Sequence, residues 1–246
     1  MNKVVEVMKD HRSIRSYLDK EVSEEIIDTL IEVAQAAPNS INGQQLSVIV
    51  VKDKEKRKKI SELSGNQPWI EAAPLFLVFV ADFYRAKIAG EKVQKELVIT
   101  DSVESIMVAS VDAGLAMQNV ITAAESLGLG TVPIGGIRKS PEEMITLLNL
   151  PEYTYPLVGL CVGYPSERSD KKPRISKEAF RHNEVYNKEK LPNLIDEYDN
   201  IMESYFENIG REKNVNWSNR TMSVYDKVYF PKVYPTLKNQ KFKNEK

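Results

Sequence analysis

The chain has 246 residues, of which 42% are hydrophobic and 28% charged, so it can bury a full core and is not a mainly disordered protein. Its 34 lysines and arginines against 35 aspartates and glutamates give a net charge of −1, which argues against nucleic acid as a partner. One cysteine and two histidines exclude an intramolecular disulfide and an ordinary zinc or copper site. We therefore expect no metal, and any redox chemistry needs an organic cofactor.

A short amphipathic helix is predicted before residue 11. Met1 to Asp10 has no uninterrupted apolar run, so we expect no signal peptide and a cytoplasmic protein. The next five residues, His11-Arg12-Ser13-Ile14-Arg15, bring together two guanidiniums, an imidazole and a hydroxyl. These groups suit phosphate oxygens or an anionic ring, although solvated surface charge explains the run equally well.

A second helix is predicted from its cap at Ser23 to Ala37, just before Pro38. It leads into a loop, Ala37 to Gln45, that is rich in amides and carries one hydroxyl. Such groups both donate and accept hydrogen bonds, which suits a heterocycle edge or the hydroxyls of a ribityl chain. A plain polar loop is the alternative.

Four strands are predicted, each bounded by Pro, Gly or charged residues: Leu46 to Val51, Leu75 to Ala81, Thr131 to Ile134 and Leu157 to Val162. Their alternation with helices, taken alone, favours a parallel doubly wound sheet. Cys161 lies inside the last apolar run and is interpreted as a buried, inert thiol.

Ser105 to Leu127 is predicted to be a central helix that ends at Gly128. Asp112, Glu125 and neighbouring amides make it too polar for a membrane span, so we expect no membrane association. Apolar residues fall on nearly every face, which is typical of a helix surrounded by protein.

The segment Leu127 to Arg138 carries four glycines. A dinucleotide-binding fingerprint is excluded, because the glycines follow a helix and Pro133 stands where a third glycine is needed. Gly135 and Gly136 would let a planar ligand approach the backbone, or they form a simple turn. Ser140-Pro141-Glu142-Glu143 then predicts a capping box.

Lys171-Lys172-Pro173-Arg174 is a second cationic cluster. Alone, this cluster is best explained as a solvated surface loop. Together with the cluster at residues 11–15, in a chain of net charge −1, it favours a binding site for an anion. After Pro192 a polar helix, Leu194 to Asn208, leads into a tail with isolated aromatics that we expect to have no core of its own. A second subunit would bury those rings, or the tail packs on its own subunit.

Together, in this order, these segments resemble the flavin-dependent nitroreductase family, most closely its NADPH-dependent nitro/flavin reductase branch. The supporting residues are His11 to Arg15, Pro38 to Gln44, Gly65-Asn66-Gln67-Pro68, Gly128 to Arg138 and Lys172-Pro173-Arg174. The resemblance implies an α+β fold in one domain, residues 1–246, with a mostly antiparallel central sheet flanked by helices. Residues 192–246 would form a C-terminal arm that crosses to the partner of a homodimer.

The resemblance also implies two FMN sites at the dimer interface. The cofactor-binding residues would be His11, Arg12, Ser13, Arg15, Ser40, Asn42, Gln44, Gln67, Ile134, Gly135, Gly136, Lys172 and Arg174. Among these, His11, Ser13, Lys172 and Arg174 would hold the phosphate, and Arg15 would lie at the pyrimidine edge. The side chains of Ser40, Asn42, Gln44 and Gln67 would bind the ribityl chain and ring edge, the Ser40 loop coming from the partner. The backbone of residues 134–136 would follow the ring near N5.

The function implied is an FMN-dependent NAD(P)H oxidoreductase that reduces nitroaromatics, quinones or free flavin by a ping-pong mechanism. No side chain is expected to be catalytic, because FMN N5 carries the hydride. The alternatives are a non-catalytic FMN carrier or sensor, and a reductive dehalogenase of the same fold. The preference between NADPH and NADH stays open. Members of this branch often have an arginine in the C-terminal tail for the NADPH phosphate, and here only Arg211 or Lys213 could take its place, in a shifted register. The small-molecule acceptor is not defined by the sequence.

Overall fold

The computed structural model describes residues 2–210 and 215–246. The chain forms two compact units, residues 1–169 with 232–246 and residues 170–231. In chain order the first unit contains α1 (Lys3–Lys9), α2 (Glu24–Gln35), β1 (Leu46–Val51), α3 (Lys54–Leu63), α4 (Pro68–Ala72), β2 (Leu75–Asp82), α5 (Tyr84–Lys92), α6 (Glu104–Ser126), β3 (Gly130–Ile134), α7 (Pro141–Leu147) and β4 (Thr154–Gly163). The second contains α8 (Lys177–Phe180), α9 (Leu191–Asn208) and α10 (Trp217–Tyr225), and the first resumes with α11 (Val233–Asn239).

The four strands of the described chain form one sheet in the order β1-β2-β4-β3. Every neighbouring pair is antiparallel, as the partners Leu46 with Ala81 and Val132 with Cys161 illustrate. The antiparallel α+β fold implied by the resemblance is confirmed, and the parallel sheet favoured by element alternation is wrong. Alternation gives the order of elements but not strand direction, and here the β1–β2 and β3–β4 connections each return to the neighbouring strand.

Both faces of the sheet are buried, because β2 is apolar at every position but its last. Leu75, Leu77 and Phe79 point to one face and belong to a core shared with α2 and α6. Phe76 and Val78 point to the other face, which is covered by residues of α3, α4 and α7. The sheet is therefore a rigid platform between two helical layers, and its ends carry the candidate site residues.

Helix α6 packs against α1, α2 and the sheet. Met107, Val111 and Leu115 are exposed, so the prediction of a helix surrounded by protein is wrong for the single chain. One chain does not supply packing partners on every side of this helix. In the part of the chain that the structure describes, α6 alone is long and apolar enough to cross a membrane, and it packs on α2 and the sheet of its own chain.

The end of α6 follows the sequence prediction. Gly128 has a φ of 80°, and the next amide, Leu129 N, donates to Ala124 O at 2.9 Å, which closes the helix. Helix α7 begins at Pro141 as predicted, but among the described residues the Ser140 side chain caps no backbone N–H. The capping box is therefore wrong, because Ser140 does not adopt the extended backbone of an N-cap.

The second unit has a small core of its own, in which Tyr198, Met202 and Phe206 of α9 pack with residues that include Trp217. The apolar side chains of α9 share one face and form this core, and Trp217 of the tail packs against it, while Tyr225 and Tyr229 farther along are exposed. The prediction that the tail has no core of its own stays a prediction. Residues 232–246 return to the first unit, where Phe242 is buried. Its ring centroid lies 5.9 Å from that of Phe83.

This return shows that the end of the tail packs on its own chain. The crossing of the arm to a partner and the single-domain organisation stay predictions. Arg211 and Lys213, the candidates for the coenzyme phosphate, lie outside the described residues.

Candidate functional site

The turn at residues 11–15 is fixed to the sheet by backbone and packing. Ile14 N donates to Thr131 O at 2.9 Å, which forms a parallel bridge between Ser13 and Thr131 at β3. The Ile14 side chain is buried over Gly130, where an added Cβ would lie 2.6 Å from Ile14 Cγ1. The glycine is needed for this close approach, and the turn is held at the start of β3.

His11 and Arg12 of this turn are paired with carboxylates. His11 Nδ1 lies 2.5 Å from Glu125 Oε1 in the last turn of α6. Arg12 binds Asp10 at 3.2 Å, and Arg168 binds the same carboxylate. Arg12, Glu125 and Arg168 line a cavity of about 480 Å³. The sequence interpretation missed Glu125 as a site residue, although an acidic residue near the end of an apolar helix was a signal for it.

A second part of the site joins the turn to α4 and to the end of β3. The Arg15 guanidinium carbon lies 5.5 Å from the centroid of the Trp69 ring, a cation–π contact that orients the charge. Gln67, the residue before α4, donates from Nε2 to Ser64 O at 2.8 Å. A Cβ on Gly136 would come within 2.3 Å of that same Nε2. Arg15 thus contacts Trp69 in α4, and Gln67, just before α4, lies close to Gly136. In this way α4 links Arg15 with Gln67 and Gly136.

The segment Ile134 to Gly136 lies where β3 ends and a 3₁₀ turn begins. Ile134 is buried and pairs with Gly159, so the strand end is fixed. A Cβ on Gly135 would lie 3.2 Å from an Arg138 guanidinium nitrogen, and Arg138 itself donates to Leu157 O. Crowding against Gln67 and Arg138 therefore favours glycine at both positions.

The loop of residues 39–45 forms another group of predicted site residues. Gln44 Nε2 donates to Asn42 Oδ1 at 2.6 Å. The Ser40 amide donates to the Asp112 carboxylate of α6 at 3.3 Å. The structure therefore brings Ser40, Asn42 and Gln44 together and attaches them to α6.

Lys172 and Arg174 belong to the second unit. Between them, Pro173 O accepts a hydrogen bond from the Tyr198 hydroxyl at 3.0 Å, which fixes the loop on α9. Arg174 lines a cavity of about 1010 Å³ with Tyr198 and Trp217. Burial raises the pKa of the Tyr198 hydroxyl, and the nearby Arg174 opposes that rise. The joint grip of the two cationic clusters on one anion stays a prediction.

Cys161 has no suitable environment for a nucleophile. It is fully buried in β4, and burial raises the pKa of its thiol, with a smaller opposing effect of Arg15 and Arg57. A neutral buried thiol is unreactive. Candidate chemistry therefore rests on the cations, amides and backbone groups at the edges of the sheet.

Comparison with known proteins identifies the family of this chain. A sequence model described as "Nitroreductase family" matches residues 8–164, and one described as "Nitroreductase family, C-terminal domain" matches residues 172–245. The chain belongs to the nitroreductase family. Within this family it is 51% identical to the "FMN reductase [NAD(P)H]" of Bacillus subtilis, with 100% of both chains covered.

Solved structures of similar proteins have the same fold. The structure of B. megaterium NfrA2 superposes with a TM-score of 0.97 at 52% identity, covering 100% of both chains. The NADPH:FMN oxidoreductase from Vibrio harveyi, solved in complex with NAD⁺, superposes with a TM-score of 0.88 at 32% identity and 98% coverage of each chain. The family and fold implied by the resemblance are thereby confirmed.

Proposed function

We propose that this chain is an FMN-dependent NAD(P)H oxidoreductase that reduces nitroaromatics, quinones or free flavin by ping-pong hydride transfer. The observation that carries the proposal is the linkage of Arg15, Gln67 and Gly136 through α4, beside a turn rich in phosphate-binding groups. Membership of the nitroreductase family supports an oxidoreductase, and the name of the B. subtilis relative supports FMN and NAD(P)H.

The residues present fit a flavin nucleotide. Among the described residues, the buried Nε of Arg12 has no hydrogen-bond partner, and Arg12 lines the 480 Å³ cavity. A buried donor without a partner beside a cavity is expected where an anion binds. Trp69 Nε1 is a second such donor within the described chain, next to Arg15. Cations, hydroxyls and amides together match the phosphate, ribityl and ring-edge chemistry of FMN.

In this assignment His11, Arg12, Ser13, Lys172 and Arg174 hold the phosphate as donors. Arg15 stands at the pyrimidine edge, where its charge stabilises negative charge on the ring, and Trp69 keeps the guanidinium in place. The remaining groups have orienting roles. Ser40, Asn42, Gln44 and Gln67 bind the ribityl chain and ring edge, and the backbone of Ile134, Gly135 and Gly136 lies along the ring.

Bound FMN supplies a two-electron carrier that takes a hydride from NAD(P)H and passes it to a second substrate. The protein needs no acid–base residue for this, and its own residues bind, orient and polarise the ring. Because both substrates would use one face of the cofactor in turn, a ping-pong order follows.

A homodimer is part of the proposal. Met107, Val111 and Leu115 form an exposed apolar stripe on α6, a surface that a second copy of the chain would bury. The loop of residues 39–45 is attached to the same helix and would enter the partner's FMN site. A cytoplasmic location stays a prediction.

The test is anaerobic reduction of the purified protein. We expect flavin absorbance that bleaches on addition of NADPH or NADH and returns when a nitroaromatic, a quinone or free FMN is added. Initial rates at several concentrations of both substrates should give parallel double-reciprocal lines. A protein that takes up no FMN would exclude the proposal, and bound FMN that NAD(P)H does not bleach would indicate a carrier.

A further inference from the structure

Asp112 is a buried carboxylate on α6 that lies outside the set of residues assigned to FMN. The residue is 4% exposed. Its carboxylate accepts a hydrogen bond from Gln45 Nε2 at 2.6 Å and from the Ser40 amide at 3.3 Å. Asp112 therefore binds residues near both ends of the loop of residues 39–45.

This loop has an unusual backbone that few other contacts hold. Ile41, Asn42 and Gln44 have φ values of 49°, 55° and 53°, the left-handed region that non-glycine residues rarely adopt. Ile41 is 96% exposed, so apolar burial does not fix the tip. A backbone of this kind persists where surrounding hydrogen bonds define it. The hydrogen bonds from Ser40 N and Gln45 Nε2 to Asp112 of α6 hold the loop backbone in this conformation.

Arg85 holds the loop from the α5 side. Its Nη1 donates to Gln44 O and to Leu46 O, both at 3.0 Å, and its Nε lies 3.5 Å from Asp82. Arg85 also lines, with Asp112, a cavity of about 250 Å³ beneath the loop. Among the described residues that line this cavity or pair with its lining, the titratable groups are Asp112, Arg85 and Asp82.

The surroundings of position 112 favour a carboxylate, because the Ser40 amide lies 3.3 Å from both of its oxygens. The two groups that bind it, Ser40 N and Gln45 Nε2, are both donors. An asparagine would offer one acceptor and turn its NH₂ toward one of those donors. Burial raises the pKa of Asp112, against the backbone hydrogen bond from Ser40, so the ionised form is costly to keep in the fold.

We propose that Asp112 is a positioning residue for the cofactor, holding residues 39–45 in the shape that presents Ser40, Asn42 and Gln44. This inference rests on the proposed function, which assigns those three residues to FMN. It also makes α6 the element that connects the loop with the exposed apolar stripe, so one helix would serve both dimerisation and cofactor binding.

The test compares Asp112→Asn with wild type as the FMN-loaded protein. Dilution with detection of released FMN by its fluorescence gives the dissociation constant. We expect FMN to bind about tenfold more weakly, the change that about 1.4 kcal/mol produces. Amide exchange at Ser40 should be faster, while the melting temperature of the FMN-free protein stays unchanged or rises. Asp53→Asn is the matched control. The Asp53 carboxylate accepts a hydrogen bond from the backbone N–H of Lys56 at 2.7 Å, and it is not part of the loop of residues 39–45.

An Asp112→Asn protein with unchanged FMN affinity and a lower melting temperature would overturn the inference, since Asp112 would then only stabilise the fold. If that variant does not fold, Gln45→Met removes the partner donor instead, and unchanged FMN affinity in it has the same meaning. Wild-type protein that binds no FMN would instead refute the proposed function itself.

Discussion

The imidazole of His11, in the turn after α1, and the carboxylate of Glu125 in α6 are in contact, with Nδ1 2.5 Å from Oε1. Thr131 Oγ1 donates to the same oxygen at 3.4 Å, so the carboxylate is held from two sides. Because Nδ1 faces Glu125, Nε2 points away from it and is the ring nitrogen left to meet a ligand. Glu125 therefore sets the orientation of a proposed phosphate-binding group.

Replacing Glu125 by glutamine should weaken FMN binding several-fold. The amide keeps the size of the side chain but replaces a charged hydrogen-bond acceptor for His11 Nδ1 by a neutral one, so the imidazole is held more weakly in its orientation. Titration of FMN into wild-type and variant proteins measures the effect. Glu142→Gln on the exposed surface of α7 is the control and should bind as wild type does. Equal affinities for all three proteins would contradict the role of Glu125.

Removing both cations of the second cluster, by Lys172→Ala with Arg174→Ala, should weaken FMN binding by about 1.5 to 3 kcal/mol for each charged hydrogen bond lost. The loss should shrink at high salt, since part of it is electrostatic. Lys188→Ala with Lys227→Ala removes the same charge from the same unit and should leave FMN affinity unchanged. Equal affinity of the first double variant and wild type would refute the phosphate role.

Gly136→Ala should destabilise the fold and reduce FMN binding. The added Cβ would meet Gln67 Nε2 at 2.3 Å and Ser64 O at 2.6 Å. Overpacking of this kind costs about 1 to 3 kcal/mol, measurable by urea unfolding. Adding Gln67→Ala should restore only part of the stability, because the carbonyl of Ser64 belongs to the backbone. Full restoration would show that the Gln67 side chain is the sole obstacle.

Val111→Glu should convert the proposed dimer into monomers, because it places a charge in the exposed apolar stripe of α6. Val111 is 61% exposed in the single chain, so the substitution is tolerated by the fold itself. Sedimentation velocity measures the mass, and FMN affinity should fall with the loss of the partner. Val93→Glu alters a similarly exposed valine after α5 and should leave the mass unchanged. A dimeric Val111→Glu protein would rule out this stripe as the interface.

Cys161 should resist thiol reagents in the native protein up to mildly alkaline pH. Burial raises the pKa of this thiol, so the folded protein keeps it neutral where an unfolded chain, with a pKa of about 8.5, begins to ionise. A chromogenic disulfide reagent at pH 8.5 should label the chain in urea and leave it unlabelled without urea. Rapid native labelling would mean that β4 opens.

Local patterns in the sequence were sufficient to place most elements. The apolar run from Leu46 to Val51 is a strand with those bounds, and Gly128 ends the central helix, because strand runs and glycine stops act through neighbouring residues. Strand direction was not recoverable from element order alone. The resemblance to a family supplied it, and backbone pairing such as that of Leu46 with Ala81 confirmed it.

The sequence by itself determined which residue types were available to bind a phosphate and a planar ring. The tertiary structure decided how they are held: Glu125 on His11, Trp69 beneath Arg15 and Asp112 under the loop of residues 39–45. These three partners lie 114, 54 and 72 positions from His11, Arg15 and Ser40 along the chain. Contacts over such distances form only when β3, α4 and α6 pack together, because hydrogen bonds and ring contacts act over a few ångströms.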